Sequence, residues 1–301
     1  MITTSPCNLC PRMCGADRRT TPGRCGAGNE VQVSHIMLHH WEEPPVSGTD
    51  KTRGSGTIFF THCPLGCAYC QNGKISRHDS HGQEYTTGML ADAMLKLQSD
   101  GAYNINFVSP TQYTLQIKDA VALAKSRGLS LPIVWNTGGY ERPEVIHSLG
   151  GTVDVFLTDF KYADRELAKQ YSAAPDYPEF AEASLKAMHE ITGKYEIGED
   201  SLIKRGVIVR HLVLPSHRDD SIAVLGRIAA SVPPQEILLS LMAQYTPEFL
   251  PPPSDEDKYA RIRRKVTSYE YEKVVDEAAR LGFDGFSQER SSATKRFTPD
   301  F

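Results

Sequence analysis

The chain has 301 residues, enough for one large α/β domain with a small appendage. Hydrophobic residues make up 40% and charged residues 23%, the balance of an ordinary globular protein. A formal net charge of -4 argues against a chain built mainly to bind nucleic acid or anionic membrane. No apolar stretch reaches the length of a membrane span, and the N-terminus carries no charged-then-apolar export signal.

Residues 1–55 read as a Cys-rich metal-binding segment and a linker. Cys7, Cys10, Cys14 and Cys25 stand at spacings x2, x3 and x10. Four thiolates can close a tetrahedral zinc site or hold an iron–sulfur cluster. Only the first pair has the spacing of a zinc-ribbon knuckle, and the further short spacings of a two-cluster ferredoxin are missing. Residues 29–55 show turn chemistry at Glu42-Glu-Pro-Pro45 and Ser47-Gly-Thr and no clear period. Seven cysteines in two tight groups fit metal or cluster binding in a reducing cytoplasm better than a disulfide framework.

From Gly56 onward, short apolar runs alternate with helical patterns. Strands are predicted at 56–60, 104–108, 132–136, 153–157, 206–214 and 236–243, β-branched and short enough for buried parallel strands. Helical periodicity runs through 88–98, 115–126, 179–192 and 219–231. A last helix opens on the capping box Thr267-Ser-Tyr-Glu270, repeats Val274, Ala278 and Leu281, and stops at Gly282. The alternation implies parallel βαβ units. Six strands are fewer than a closed eight-stranded barrel needs, so residues 56–301 are expected to form a partial, open (β/α)6 barrel. Chemistry then belongs on the loops after the strands' C-terminal ends.

The loop after the first of these strands carries Cys63-Pro-Leu-Gly-Cys67-Ala-Tyr-Cys70, a Cys-x3-Cys-x2-Cys spacing. It offers three thiolates where a zinc or ferredoxin site wants four, and a [4Fe–4S] cluster on three cysteines leaves one iron open. Buried reduced thiols, or a zinc site completed by His62, are the plainer alternatives. A strand feeding into this loop resembles the radical S-adenosylmethionine (SAM) enzymes. The resemblance implies that SAM chelates the open iron and is cleaved to a 5'-deoxyadenosyl radical. It places Tyr69 beside the adenine, and Cys70-Gln-Asn72 resembles the Cys-x-Asn of the glycyl-radical-enzyme activases.

The remaining strand-end loops are similar to the same family in part. Ser109-Pro-Thr111 stands where many members carry Gly-Gly-Glu for the SAM amino group, so Ser109 and Thr111 offer hydroxyls in its place. Asn136-Thr137-Gly138-Gly139 is either a plain glycine turn or a close approach to ribose or carboxylate. Asp159-Phe-Lys161 matches the Asp-x-Lys of the pyruvate formate-lyase activating enzymes, whose charges line the SAM pocket; a structural ion pair is the competing explanation. Arg210 is a candidate for the SAM carboxylate because its planar fork fits one, while His211 alternates to the other face. Gln244 stands where the activases carry a histidine. Gly54-Ser-Gly-Thr-Ile-Phe-Phe60, Asn136-Thr-Gly-Gly-Tyr-Glu141 and Val209-Arg-His-Leu-Val-Leu-Pro215 narrow the likeness to the stand-alone, activase-like branch.

The resemblance implies a radical SAM oxidoreductase that abstracts hydrogen from a protein or peptide, with a glycyl radical enzyme as the analogous substrate. Flavodoxin or ferredoxin would supply the electron, in the cytoplasm. Zinc or a second iron–sulfur cluster is expected at the N-terminal cysteines. The alternative is a non-catalytic iron–sulfur or zinc scaffold, which has no use for Asp159, Lys161 and Arg210 converging on a pocket. Arg261-Ile-Arg-Arg-Lys265 reads as a solvated basic face, partly neutralised by Asp255-Glu-Asp257.

Overall fold

The computed structural model describes residues 1–50 and 52–288. The last stretch of the domain placed at 56–301, residues 289–301, lies outside the described residues. The first strand, β1 (Val31–His39), falls in the segment that reads as a linker. It pairs antiparallel with β2 (Ser55–Phe60) and, on its other side, with β3 (Gln83–Tyr85). A register shift between Val33 and His35 breaks its burial pattern, which removes the period-two signal that marks a half-buried strand.

Next to β2 run β4 (Ile105–Val108), β5 (Ile133–Thr137) and β6 (Val155–Asp159), each parallel to its neighbour. The two-residue β7 (Glu196–Ile197) folds back on β8 (Ile203–Leu212), which lies parallel to β6. The short β9 (Leu238–Met242) and β10 (Asp284–Ser287) extend the sheet, again in parallel. The spatial order is β10-β9-β8-β6-β5-β4-β2-β1-β3. All six strands expected from sequence are present, and β10 adds a seventh parallel strand. That four-residue segment, half glycine and serine in character, offers no apolar run to read. Its Gly285 is needed: a Cβ there would stand 1.8 Å from the Leu239 carbonyl. Among the described residues β3 and β10 do not meet, so the sheet is a partial, open α/β barrel.

Nine helices accompany the described strands. The single-turn α1 (Pro44–Ser47) and α2 (Gly73–Ser76) precede α3 (Thr87–Ser99) and α4 (Thr114–Ser126). Thr86 caps α3 by accepting from the Met89 N–H, and Leu90, Ala91, Met94 and Leu97 form its buried stripe. The five-residue α5 (Pro143–His147) is followed by α6 (Arg165–Ser172), α7 (Tyr177–Thr192) and α8 (Arg218–Ser231). The last, α9 (Ser268–Leu281), shows the expected capping box, and Gly282 ends it in the left-handed conformation at φ 76°. Among the described residues no helix is long and apolar enough to cross a membrane.

Strand alternation divides the packing into two layers. Phe107, Trp135, Phe156 and Leu239 face the helices in the main core. Val134, Val155, Leu157, Ile208 and Leu238 face the other way and close around Val46. The segment of residues 42–47 therefore fills the inner face of the half-barrel. Asn104, at the mouth of β4, fastens it by donating from Nδ2 to the Val46 carbonyl at 2.7 Å.

Candidate active site

β2 ends at Phe60 and the chain turns directly into the cysteine loop. His62 takes φ 69°, an uncommon conformation for a bulky side chain, and its N–H donates to the Ile75 carbonyl at 2.7 Å. Gly66 supplies a second left-handed residue at φ 73°. Cys63, Cys67 and Cys70 are all free thiols, with Cys67 buried. The Ser172 hydroxyl donates to Cys67 Sγ at 2.9 Å, and Ser76 Oγ lies 3.3 Å from Cys70 Sγ. Tyr162 Oη lies 2.8 Å from Ser172 Oγ, and Tyr69 Oη 2.6 Å from Tyr162 Oη. Three hydroxyls thus run in series towards Cys67. Burial pushes the Cys63 thiol up to about 12, and the neighbouring Cys67 thiol pushes the same way. Burial also raises the Cys67 thiol, against the opposing charge of Lys161. A metal that binds here must displace those protons.

On the inner face above Val46 lies a layer of polar side chains. Asp159, Arg210 and Ser240 stand in register on β6, β8 and β9. Arg210 donates from Nε to Asp159 Oδ1 at 2.8 Å, from Nη2 to Asn136 Oδ1 at 2.7 Å, and from Nη1 to Glu42 Oε2 at 3.3 Å. Lys161 Nζ stands 2.5 Å from Asp159 Oδ2. Burial pushes the Asp159 carboxyl up, but Arg210 and Lys161 outweigh it and hold it below its ordinary value. Glu42 also accepts from Asn136 Nδ2 at 3.1 Å and Asn106 Nδ2 at 3.2 Å. Burial raises the carboxyls of both Glu42 and Glu43, with Arg210 acting against it. Asn136, Asp159, Lys161 and Arg210, separated by up to 74 residues in sequence, therefore meet in one network. Glu42 and Glu43 were not legible as part of it: Pro44-Pro45 dominates their local signal, and two neighbouring carboxylates carry no motif.

A Cβ on Gly138 would meet Leu65 Cδ1 of the cysteine loop at 2.8 Å and Lys161 Cε at 3.7 Å, so the polar layer adjoins the loop directly. A family model described as the Radical SAM superfamily matches residues 57–223, more than half of the chain, and takes in the cysteine loop with Asn136, Asp159, Lys161 and Arg210. The chain belongs to the radical SAM superfamily. It is 30% identical over 287 residues to an uncharacterized protein, MJ0674, of Methanocaldococcus jannaschii, covering 92% of this chain and 75% of that one. Its fold is similar to a radical SAM methyltransferase from Sphaerobacter thermophilus, with TM-score 0.51 and 14% identity over 78% of this chain and 66% of that one. It is also similar to Streptococcus suis SuiB bound to S-adenosylmethionine, with TM-score 0.50 and 12% identity over 77% of this chain. The chain spans 46% of SuiB and just under two thirds of the methyltransferase.

Superfamily membership carries a [4Fe–4S] cluster and SAM, and the radical SAM loop has the donors for them. Hydroxyls on the sulfurs of Cys67 and Cys70 suit cluster ligands, whose potential responds to such bonds. Among the described residues no three His, Cys, Asp or Glu side chains gather closely enough to hold a single ion. His62, the candidate fourth zinc ligand, points Nδ1 at the Arg77 carbonyl, 3.2 Å away. Cys7, Cys10, Cys14 and Cys25 line one enclosed cavity, and the family match begins after them.

The other candidate residues are placed as follows. Thr111 and Thr137 both donate to Glu141 Oε1 at 2.5 Å, so their hydroxyls serve a buried carboxylate. Burial pushes Glu141 up to about 7, with the two hydroxyls opposing. In sequence Glu141 is only the last residue of the Asn136-to-Glu141 segment, and its role was hidden because its partners lie on two different strand ends. Ser109 holds φ 55° and donates its N–H to the Asn136 carbonyl at 3.0 Å. Gly139 is a close approach, but to protein: with φ 77°, its Cβ would stand 2.0 Å from the Asp159 carbonyl. The Tyr69 ring packs edge-on to Tyr171 and Tyr245. Asn72 accepts from the Ile75 and Ser76 N–H groups through its carbonyl, and its side chain makes no capping bond. Gln244 Oε1 accepts from Gln288 Nε2 at 3.3 Å, at the end of β9. His211 is buried on the opposite face, with Nδ1 2.7 Å from the Phe160 carbonyl. In the basic run, Arg263 pairs with Asp257 and Arg264 with Glu270.

Proposed function

We propose that this chain is an activase-like radical SAM oxidoreductase that abstracts hydrogen from a protein or peptide substrate, such as a glycyl radical enzyme. The single observation behind the chemistry is the loop of three free thiols, Cys63, Cys67 and Cys70, packed against the Asp159–Lys161–Arg210 network. Cys63, Cys67 and Cys70 would hold a [4Fe–4S] cluster, and the chemistry it would supply with SAM after one-electron reduction is a 5'-deoxyadenosyl radical. The chain's own part is to bind and orient SAM and to keep water from the radical. In this reading Lys161 and Arg210 face the methionyl carboxylate and Asp159 the ribose, and each exchanges part of its present pairing for the ligand. Tyr69 and Asn72 flank the cluster, Ser109, Thr111, Asn136 and Thr137 border the SAM pocket, and Gln244 stands at the far strand end.

The choice of a protein substrate is supported by the likeness of Cys70-Gln-Asn72 and Asp159-Phe-Lys161 to the activases. The reading includes a flavodoxin or ferredoxin donor, a cytoplasmic setting, and zinc or a second cluster at Cys7, Cys10, Cys14 and Cys25. Its test is anaerobic. The protein is reconstituted with iron and sulfide, reduced with dithionite and given SAM, and 5'-deoxyadenosine is quantified for wild type and Cys63→Ala. The expected result is product from wild type alone. A wild-type protein that carries its cluster yet neither binds nor cleaves SAM would be a scaffold instead.

A further inference from the structure

The four N-terminal thiols line a cavity that also contains Arg12, Arg18, Pro64 and Gln112. Pro64 is the residue after Cys63, so the cavity and the cluster loop share a wall. Arg12 lies between Cys10 and Cys14 in the chain. Its Nε donates to the Pro64 carbonyl at 3.0 Å, and its Nη2 to those of Leu65 at 3.3 Å and Ser172 at 3.1 Å. Nη1 reaches the Ala173 carbonyl at 2.5 Å, and the guanidinium stacks 5.1 Å from the Tyr140 ring centroid. One side chain therefore rivets the loop that carries Cys63 and Cys67 to the segment whose Ser172 hydroxyl bonds Cys67.

Arg18 holds the loop's other end. It is buried, donates to the carbonyls of Gly28 and Gln112, and lies over the Tyr113 ring. Gln112 in turn donates from Nε2 to the carbonyls of Thr61 at 2.8 Å and His62 at 3.1 Å, the two residues before Cys63. A third contact comes from Gly26, beside Cys25. At φ 97°, a Cβ there would stand 2.2 Å from the His78 carbonyl and 2.7 Å from His62 Nδ1. Residues 1–30 form no helix or named strand; besides one isolated bridge, Thr4 with Cys7, turn bonds hold them, such as the Cys7 N–H to the Ala16 carbonyl at 2.9 Å and the Gly15 N–H to the Cys7 carbonyl at 3.0 Å. Those turns bring Cys7 beside the turn that carries Cys14, and a metal on the four thiols would cross-link the turns that aim the two arginines.

We infer that a thiolate-held metal centre at Cys7, Cys10, Cys14 and Cys25 staples the N-terminal segment and thereby positions the cluster loop through Arg12, Arg18 and Gly26. The inference rests on the proposed metal at these thiols and adds its purpose. On binding, the thiols give up their protons to solvent and the metal closes the turn around Arg12.

Two measurements separate the parts. First, metal is counted in full-length Cys63→Ala/Cys67→Ala/Cys70→Ala protein, which lacks the loop ligands. About one zinc or about four irons per chain is expected, lost when Cys10→Ser and Cys14→Ser are added. Zinc and an iron–sulfur chromophore are told apart by elemental analysis and absorption. A folded triple variant with no bound metal would overturn the site and the inference together. Second, amide hydrogen exchange across residues 61–70 is compared among otherwise wild-type protein, Cys10→Ser/Cys14→Ser, and Arg12→Gln, which keeps all seven thiols. Both variants are expected to exchange about tenfold faster there, with α8 and α9 unchanged. Metal loss with wild-type exchange in the loop, or unchanged exchange in Arg12→Gln, would overturn the positioning role and leave the metal site standing.

Discussion

Two side chains carry residue-scale consequences. The chain of hydroxyls from Tyr69 through Tyr162 and Ser172 ends on Cys67 Sγ. Hydrogen bonds to sulfur stabilise the reduced, more negative cluster, so losing one lowers its potential. Ser172→Ala is expected to move the cluster midpoint roughly 40 mV more negative, from a bond of ~1 kcal/mol and ~59 mV per tenfold for one electron. Potentiometric titration followed by electron paramagnetic resonance measures it, and an unmoved or more positive midpoint would remove the hydroxyl chain from the account. Glu141 gives a pH dependence. Its folded value of about 7 lies above the ordinary 4.5, so the folded state binds the extra proton between those values. Stability is therefore greatest below pH 4.5 for this group and falls as pH rises to 7, by at most about 3 kcal/mol. Glu141→Gln keeps an acceptor for Thr111 and Thr137 and should flatten that slope. Denaturant midpoints measured across the interval, compared between the two proteins, decide it.

At the scale of elements, the turn after β5 joins the strand ends tightly. Gly139→Ala must adopt a strained φ and push away the Asp159 carbonyl, with an expected loss of roughly 3 kcal/mol or more in unfolding free energy. A loss under about 1 kcal/mol would show a turn free to move and an Asp159 position not fixed by it. This turn also shows what sequence can tell. Two glycines in a row left a plain turn and a close approach to a ligand both open, and the actual partner was invisible because it comes from the next strand. Helices with repeating apolar stripes, such as α3 and α9, were plain in sequence, as was the capping box at Thr267. The helix α6 was not, since only Ala168, Tyr171 and Ser172 face the core and its N-cap, Asp164, stands in a polar run. β1 hid its pairing behind a register shift, and β10 behind its glycine.

For the whole molecule, the inner face is the feature that joins fold to site. The plug of residues 42–47 brings Glu42 beneath a layer built from β4, β5, β6 and β8, and Arg210 ties three of those sources together. Breaking a buried ionic network by removing one partner leaves charge unpaired, so Arg210→Gln is expected to cost about 3–5 kcal/mol. Adding Asp159→Asn should restore part of that loss, because the second change removes a carboxylate left without its cation. Additive losses in the double variant, read from denaturant unfolding, would mean that the two groups do not share a network. The three loop cysteines could be named from spacing alone because one short run, residues 63–70, supplies them all. The polar layer could be named only in part, because two of its acids, Glu42 and Glu43, enter from the segment between β1 and β2.

The central claim is that Cys63, Cys67 and Cys70 hold a cluster whose remaining iron is open to SAM. The most direct measurement is electron–nuclear double resonance on the dithionite-reduced protein with SAM labelled in its amino and carboxylate groups. The account predicts strong coupling of both labels to the cluster spin. A cluster signal unchanged by SAM, with no coupling to either label, would contradict it.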